Sequence, residues 1–413
     1  MTALPPAVVG ARLRMAREAA GMTLGTLAVR TSWSKSALGH FETGRRNPPA
    51  AVITFYEELF GHLAADPVTS MAAVGRADVD RRSFLTTATY SMALSATALA
   101  LPKEAVARIV GLNDSHVVGM PEVEAVRAVT DAFLRFDEVR GGGMGRTAVA
   151  EFLATDVATL LRSRFADPTV RTAAFSAAAE LAYIAGFKAH DAGADQVGQR
   201  YYLKALGLVE HAQVPGQDAW ILRILALQGA DINKATFSPA LAEAALNRGR
   251  GHLGPDATAL LMIAAARCYA ETGRRSEALA ALRAAEPYMS TELTSEQPRW
   301  ISMWAPNKAI LVDQAAKTFL TLGDQANAVV HYELAASMWN KQTHARVWAL
   351  STAQAGRLQW KRGDYVTAVN TWRPALPILH SIDSTRTAKA LTAVRRTAPE
   401  LFAGTAAGSL PQL

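Results

Sequence analysis

Residues 21–44 read GMTLGTLAVRTSWSKSALGHFETG and contain two short helical patterns separated by a tight turn. Thr23 stands where the N-cap of the first helix is expected, and Ser34 takes the same position before the second. The turn falls at 31–33, and Gly44 ends the second helix. The apolar positions that would pack the two helices together are Leu24, Leu27, Ala28, Ala37, Leu38 and Phe41.

The outer face of the second helix carries small polar and basic residues. A short helix of this kind after a tight turn is typical of a helix-turn-helix unit, whose second helix enters the major groove of DNA. Lysine, serine and histidine donate hydrogen bonds to base edges, and basic residues that follow the helix contact phosphates. We therefore predict binding to double-stranded operator DNA through Thr23, Ser34, Lys35, Ser36, His40, Thr43, Arg45 and Arg46.

The composition indicates an all-α protein. Of the 413 residues, 50% are hydrophobic, which is enough to bury a large core. Alanine and leucine are abundant, and alternation of apolar and polar residues does not extend beyond a few positions. The net charge of +7 suits a polyanionic partner.

Sequence motifs for enzymatic chemistry are missing. Cys268 is the single cysteine, so a disulfide framework is excluded and a reducing cytoplasm is expected. We find no zinc-ligand spacing, nucleophile elbow or phosphate-binding loop. The sequence therefore predicts a protein that is not an enzyme and needs neither metal nor cofactor.

Changes in composition divide the chain into five parts. Residues 1–62 form a head of about five helices, with 7 Lys/Arg against 4 Asp/Glu, and 63–80 resemble a linker. Connecting helices are expected over 81–145, where the glycine-rich run 141–145 marks a flexible turn between helices. A repeat region follows over 146–400, and 401–413 form a flexible tail.

Arg81-Arg82 precedes an uncharged stretch over 83–102 that resembles a twin-arginine export motif. The stretch begins behind a folded head and is rich in Thr, Ser and Ala, so its hydrophobicity is marginal for a membrane span. An exported or membrane-tethered protein is one alternative. We favour a buried helix that packs on a neighbouring domain or subunit, and expect no membrane partner.

Four places in the repeat region share a helix, a glycine turn and a second helix that starts with small residues. The turn glycines are Gly193, Gly273, Gly323 and Gly363, separated by 80, 50 and 40 residues. A less clear unit falls at 229–232. A helical hairpin cannot bury its apolar face alone, so units of about 40 residues are expected to stack into a solenoid.

The repeat resembles the tetratricopeptide repeat. Small residues occupy the positions where its helices cross, namely Ala278, Ala281, Ala328, Ala335, Ala368 and Ala375. The units exceed the usual length of about 34 residues. The resemblance implies an all-α chain in which an N-terminal helix-turn-helix domain precedes a tetratricopeptide-like helical solenoid.

The head is similar to the Xre/Cro family of helix-turn-helix regulators. The matching residues are Leu13, Arg17-Glu18, Gly21, Leu27-Ala28, Ser34-Lys35-Ser36, Phe41-Glu42 and Gly44. This resemblance implies an internal ion pair between Arg17 and Glu42. Leu24 stands where the family often has a glutamine that reaches DNA, so that contact is expected to be absent.

The layout resembles actinobacterial regulators and the peptide-pheromone receptors grouped as RRNPP. It implies a homodimer whose solenoid senses a peptide or small-molecule effector, as in quorum sensing. The stretch 296–308 concentrates tryptophans and polar donors, which suits ligand binding but also suits core filling. The candidate ligand residues are Trp300, Trp304, Asn307, Arg346 and Gln354. The rival interpretation is a protein–protein interaction scaffold with a vestigial DNA-binding head.

Overall fold

The computed structural model describes residues 5–19, 22–60, 67–83, 102–110, 112, 116–233, 235–289, 297–304 and 308–403. The prediction of an all-α protein is confirmed, since helices account for most of this part of the chain. Two short strands, Val117–Val118 (β1) and Arg164–Phe165 (β2), pair in parallel.

The helices are numbered here in chain order. They are α1 Pro6–Ala19, α2 Leu24–Val29, α3 Lys35–Glu42, α4 Ala50–Phe60, α5 Pro67–Ser83, α6 Lys103–Ile109, α7 Met120–Arg140, α8 Arg146–Phe152, α9 Ala158–Arg162, α10 Pro168–Asp191, α11 Asp195–Ala212, α12 Gln217–Asp231, α13 Ser238–Gly249, α14 Pro255–Glu271, α15 Arg275–Ala285, α16 Arg299–Ser302, α17 Ala309–Thr321, α18 Gln325–Met338, α19 Ala345–Lys361, α20 Tyr365–Trp372, α21 Leu376–Ser381 and α22 Thr385–Thr397. A π-helical turn, Leu153–Val157, joins α8 to α9.

The head has four helices in its described residues, α1 to α4, rather than the expected five. Both predicted caps are present: the Thr23 hydroxyl accepts from the Thr26 amide at 3.1 Å, and the Ser34 hydroxyl accepts from the Ala37 amide at 3.1 Å. Gly44, which follows α3, has φ +70°, a conformation that suits glycine at the end of a helix. The core of the head consists of Leu13, Leu27, Leu38, Phe41, Val52 and Tyr56.

A buried ion pair joins α1 to α3, as the family resemblance implied. Arg17 Nε donates to Glu42 Oε1 at 2.6 Å, and Arg17 Nη2 donates to Glu42 Oε2 at 2.7 Å. The Tyr56 hydroxyl donates to Glu42 Oε1 at 2.8 Å, and Arg17 Nη1 donates to the Met22 carbonyl at 2.6 Å. Each charge therefore has several partners, which offsets its loss of hydration.

The expected linker over 63–80 is wrong for most of its length, because α5 occupies 67–83. Its buried residues include Val68, Met71, Ala72, Gly75 and Asp78, spaced as one face of a helix, and the helix packs on α8 and α11. Asp78 on α5 pairs with Arg146 of α8 at 2.5 Å. The small residues of this segment allow close packing against the body.

The predicted uncharged helix over 83–102 lies almost wholly outside the described residues, which resume at 102. Among the helices that the structure describes, none is both long enough and apolar enough to cross a membrane.

The repeat region consists of helical hairpins. The predicted turn glycines, Gly193, Gly273, Gly323 and Gly363, all have φ between +77° and +86°, a region that glycine enters without steric cost. They connect α10 to α11, α14 to α15, α17 to α18, and α19 to α20. The unit predicted near 229–232 is the hairpin of α12 and α13, and Asn233 there has φ +55°. Successive first helices α12, α14 and α17 pack side by side.

The last hairpins return to the beginning of the repeat region. The Gly143 amide donates to the Asp383 carbonyl at 3.1 Å, and the Asp383 amide donates to the Arg140 carbonyl at 2.9 Å. The Ser384 hydroxyl donates to Asp191 Oδ1 at 2.9 Å. The run 141–145 does separate two helices, but Gly141 and Gly142 are buried, so the expectation of a flexible turn is wrong.

We predict that Glu42→Gln loosens the head locally. The amide keeps the shape of the carboxylate but removes the buried negative charge that Arg17 contacts most closely, at a cost of about 3–5 kcal/mol. Hydrogen–deuterium exchange should be faster in peptides that cover α1 and α3. Glu58→Gln, an exposed change on α4, is the matched control. Equal protection of α3 in both variants would contradict the structural role of the pair.

Candidate DNA-binding surface and ligand pocket

The outer face of α3 presents the predicted DNA contacts. Lys35, Ser36, His40 and Thr43 are exposed, whereas Leu38 on the opposite side is buried in the head core. Thr43 donates through its hydroxyl to the Gly39 carbonyl at 2.7 Å. The helix therefore has one face fixed by packing and the other free to meet a partner.

Thr23 and Ser34 have a local role in addition to the predicted one. Their hydroxyl oxygens accept the capping hydrogen bonds of α2 and α3, yet both residues remain exposed. A capping hydroxyl keeps its proton as a donor, and the first turn of a helix attracts anions. Both positions thus suit phosphate oxygens better than base edges.

Arg45 and Arg46 follow α3 and are exposed. The guanidinium carbon of Arg46 lies 5.8 Å from the centre of the Phe41 ring, so its position is linked to the head core. Leu24, the departure from the family pattern, is half-buried against that core and offers no polar group. Lys35, Arg45 and Arg46 place three positive charges on this surface.

An aromatic pocket lies in the body between α10, α12 and α16. Its cavity volume is about 10 Å³, room for about one water molecule, and its walls include Tyr183, Trp220, Trp300 and Trp304. The ring centres of Tyr183 and Trp304 are 4.6 Å apart, and those of Trp220 and Trp300 are 6.4 Å apart. The two tryptophans that the sequence singled out are therefore brought together with two further aromatic residues.

Two buried polar residues complete the wall of this aromatic pocket. Glu180 and Gln217 are 4% and 1% exposed. Glu180 Oε2 accepts from Arg299 Nε at 3.1 Å, and Gln217 Nε2 donates to the Ser176 carbonyl at 3.3 Å. Glu180 Oε1 and Gln217 Oε1 have no hydrogen-bond partner among the described residues. Burial raises the pKa of the Glu180 carboxyl, and neighbouring Arg299 partly opposes this shift.

The other predicted ligand residues do not join the pocket. Arg346 is wrong as a surface ligand residue, because it is 0% exposed and pairs with Asp137 at 2.6 Å and Glu138 at 2.8 Å. These carboxylates are about two hundred positions away in sequence, so the pairing depends on the tertiary fold. Gln354 lies outside the pocket wall and accepts from Arg357 Nη1 at 2.6 Å. Asn307 lies outside the described residues.

Sequence reasoning missed Glu180, Tyr183, Gln217 and Trp220. Glu180 could have been noticed in the sequence, because it is the single charged residue in the run 172–187. A lone charge in a helix that is buried all round requires a partner or a function. The other three residues are ordinary members of apolar helices, and only their assembly in space distinguishes them.

The single cysteine of the chain lies in the interior of the body. Cys268 is 0% exposed, and burial raises the pKa of its thiol to about 12, which keeps it protonated at neutral pH. No group of three or more His, Cys, Asp or Glu residues within the described ranges could hold a metal ion.

One comparison with known proteins gives a match, and that match lies in the head. Comparison with curated proteins gives no match. Residues 8–67 match a family model described as a helix-turn-helix domain. The match covers α1 to α4, including the exposed face of α3, and supports a DNA-binding regulator.

Proposed function

We propose that this protein is a cytoplasmic, homodimeric transcriptional regulator of the Xre/Cro type whose tetratricopeptide-like body senses a peptide or small-molecule effector. The observation that carries the proposal is the exposed polar face of α3, which the buried Arg17–Glu42 pair holds in place. The aromatic pocket in the body supports a sensing role, because buried polar atoms there lack partners.

The head contacts the body through α1. Val8, Ala11 and Met15 belong to or pack against the main core of the body. Arg12 pairs with Glu210 at 2.9 Å, and Glu18 pairs with Arg200 at 3.4 Å. Both body residues lie on α11, so a shift of this helix would be transmitted directly to the head.

The same helix α11 reaches the pocket. The ring of Tyr183, in the pocket wall, lies 5.5 Å from the ring of Tyr202 on α11. A Cβ atom added at Gly186 would lie 2.6 Å from Tyr202, so α10 and α11 are in close contact here. We propose that an effector that binds at these aromatic residues repositions α11 and hence α1. The coupling free energy of such a device is typically about 1–3 kcal/mol.

Selection from a random DNA library by the full-length protein tests the regulator proposal. We expect enrichment of an inverted repeat whose half-sites lie about 10–10.5 base pairs apart or a multiple of it, since two-fold symmetric dimers read such sites. Light scattering should give the mass of two chains. Failure to enrich any sequence would favour the scaffold with a vestigial head and overturn the proposal.

Base recognition is expected to depend on Lys35 and His40. Replacing either by alanine should weaken binding to the selected site by about 1–3 kcal/mol and relax its sequence preference, because a base contact is lost. Fluorescence anisotropy with selected and scrambled duplexes measures both effects. Lys361→Ala and His380→Ala remove the same exposed side chains from the body and are the matched controls. Unchanged preference in both head variants would refute these contacts.

Phosphate recognition is expected to depend on Arg45 and Arg46. Each alanine variant should weaken binding to all duplexes alike and reduce the slope of log affinity against log salt by about one. A titration series in potassium chloride provides the slope. Arg373→Ala, an exposed change on the body, serves as the comparison. A change in sequence preference instead of slope would assign these residues to base contacts.

A further inference from the structure

The interface between α1 of the head and α11 of the body contains an excess of positive charge. Arg12 pairs with Glu210 at 2.9 Å, and Glu18 pairs with Arg200 at 3.4 Å, so the two helices run in opposite directions. Lys204 lies between these two ion pairs along α11, one helical turn after Arg200. Three cations therefore share two carboxylates in this interface.

Lys204 has no counter-charge of its own. It makes no hydrogen bond and no ion pair with the residues that the structure describes. The carboxylate of Glu18 is shared with a further cation of α1, because Arg14 Nε donates to Glu18 Oε1 at 2.8 Å. The ammonium group of Lys204 is thus the unbalanced charge of the interface.

The surroundings of Lys204 favour its neutral form. The residue is half-buried, and Met15 of α1 packs against the core of the body in the same interface. Burial lowers the pKa of the Lys204 ammonium to about 8, and the neighbouring charges of Arg12 and Arg200 add to this shift. At pH 7.5 about a quarter of a lysine with such a pKa is free amine, against about one part in a thousand for an ordinary lysine. A free amine is a nucleophile, whereas an ammonium group is not.

The two flanking arginines can hold an anion beside this amine. Each contacts its carboxylate through Nη2 alone, and the other N–H groups of both side chains have no partner among the described residues. Arg12 and Arg200 keep 22% and 29% of their side-chain surface accessible. Guanidinium groups bind phosphate oxygens through paired N–H donors. A reagent that carries a phosphate group would therefore be held next to Lys204.

We propose that Lys204 is an acylation site that reacts with acyl phosphates, with Arg12 and Arg200 holding the phosphate group of the donor. The Lys204 amine attacks the carbonyl carbon of the acyl group and forms a C–N bond. The C–O bond to the phosphate breaks, and the leaving phosphate takes up one proton from the amine. The products are an amide on Lys204 and inorganic phosphate.

Acylation should tighten the contact between head and body. The amide carries no charge, so the repulsion between Lys204 and Arg12 across the interface disappears. The ion pairs of Arg12 and Arg200 with their carboxylates remain. The modification thus acts on the helix that links the body to the recognition helix.

Treatment of the full-length protein with acetyl phosphate, followed by peptide mass spectrometry, tests the site. We expect acetylation of Lys204 to be roughly fivefold or more faster than that of Lys361, because more of its amine is unprotonated and the donor is held beside it. Lys361 is the matched control, since it is fully exposed on the body. A rate at Lys204 no higher than that at Lys361 would overturn the proposal.

A neutral donor and an arginine variant test the role of the phosphate group. The preference for Lys204 over Lys361 should be smaller with acetic anhydride, which has no phosphate to bind. Arg200→Gln should slow the reaction of Lys204 with acetyl phosphate, whereas Arg373→Gln, an exposed change on the body, should not. An equal preference with both donors, or an unchanged rate in Arg200→Gln, would refute phosphate recognition.

Hydrogen–deuterium exchange measures the effect on the interface. Lys204→Gln imitates the neutral amide and should slow exchange in peptides that cover α1, whereas Lys204→Arg keeps the charge and should not. Equal exchange of α1 in the two variants would contradict the tightening of the contact. Neither this measurement nor the acetylation rates involve DNA, so the acylation site can fail while the regulator stands, and the reverse.

Discussion

Arg17 and Glu42 carry opposite charges into the interior of the head, and their pairing decides where the recognition helix lies. Removing two charges from water costs several kcal/mol per ion, and good geometry with further hydrogen bonds is needed to offset it. Two N–H···O bonds, the Tyr56 hydroxyl and the Met22 carbonyl provide that compensation. The pair tolerates little displacement, so α3 keeps a fixed orientation relative to α1.

Helix α1 consequently has two sets of contacts. One side holds α3 through the ion pair and through Gly10, where an added Cβ atom would lie 2.2 Å from the Phe41 carbonyl oxygen. The other side meets α11 of the body through Arg12 and Glu18. A single rigid helix thus lies between the DNA-facing surface and the region next to the aromatic pocket. A displacement of α11 would therefore move α1 and α3 together.

The sequence was most informative where local rules decide the structure. Thr23 and Ser34 cap helices because short hydroxyl side chains reach the free amides of the first turn, and turn glycines such as Gly273 adopt positive φ. Ion pairs between distant parts of the sequence could not be predicted. Arg346, for example, is buried and pairs with carboxylates on α7 and α10. The aromatic cluster of the body was half predictable, since Trp300 and Trp304 stood out by type, whereas Glu180 meets them only in the folded chain.

The contacts of Asp383 and Ser384 with Gly143 and Asp191 have a consequence for how this architecture can change. An open stack of repeats can gain or lose a unit at an end, since each unit touches only its neighbours. Here the last helices are fastened to the start of the stack, so an inserted unit would separate the two ends and break those contacts. These contacts between the two ends therefore fix the number of hairpins. Side chains within the units can change without disturbing this closure, whereas the count of units cannot.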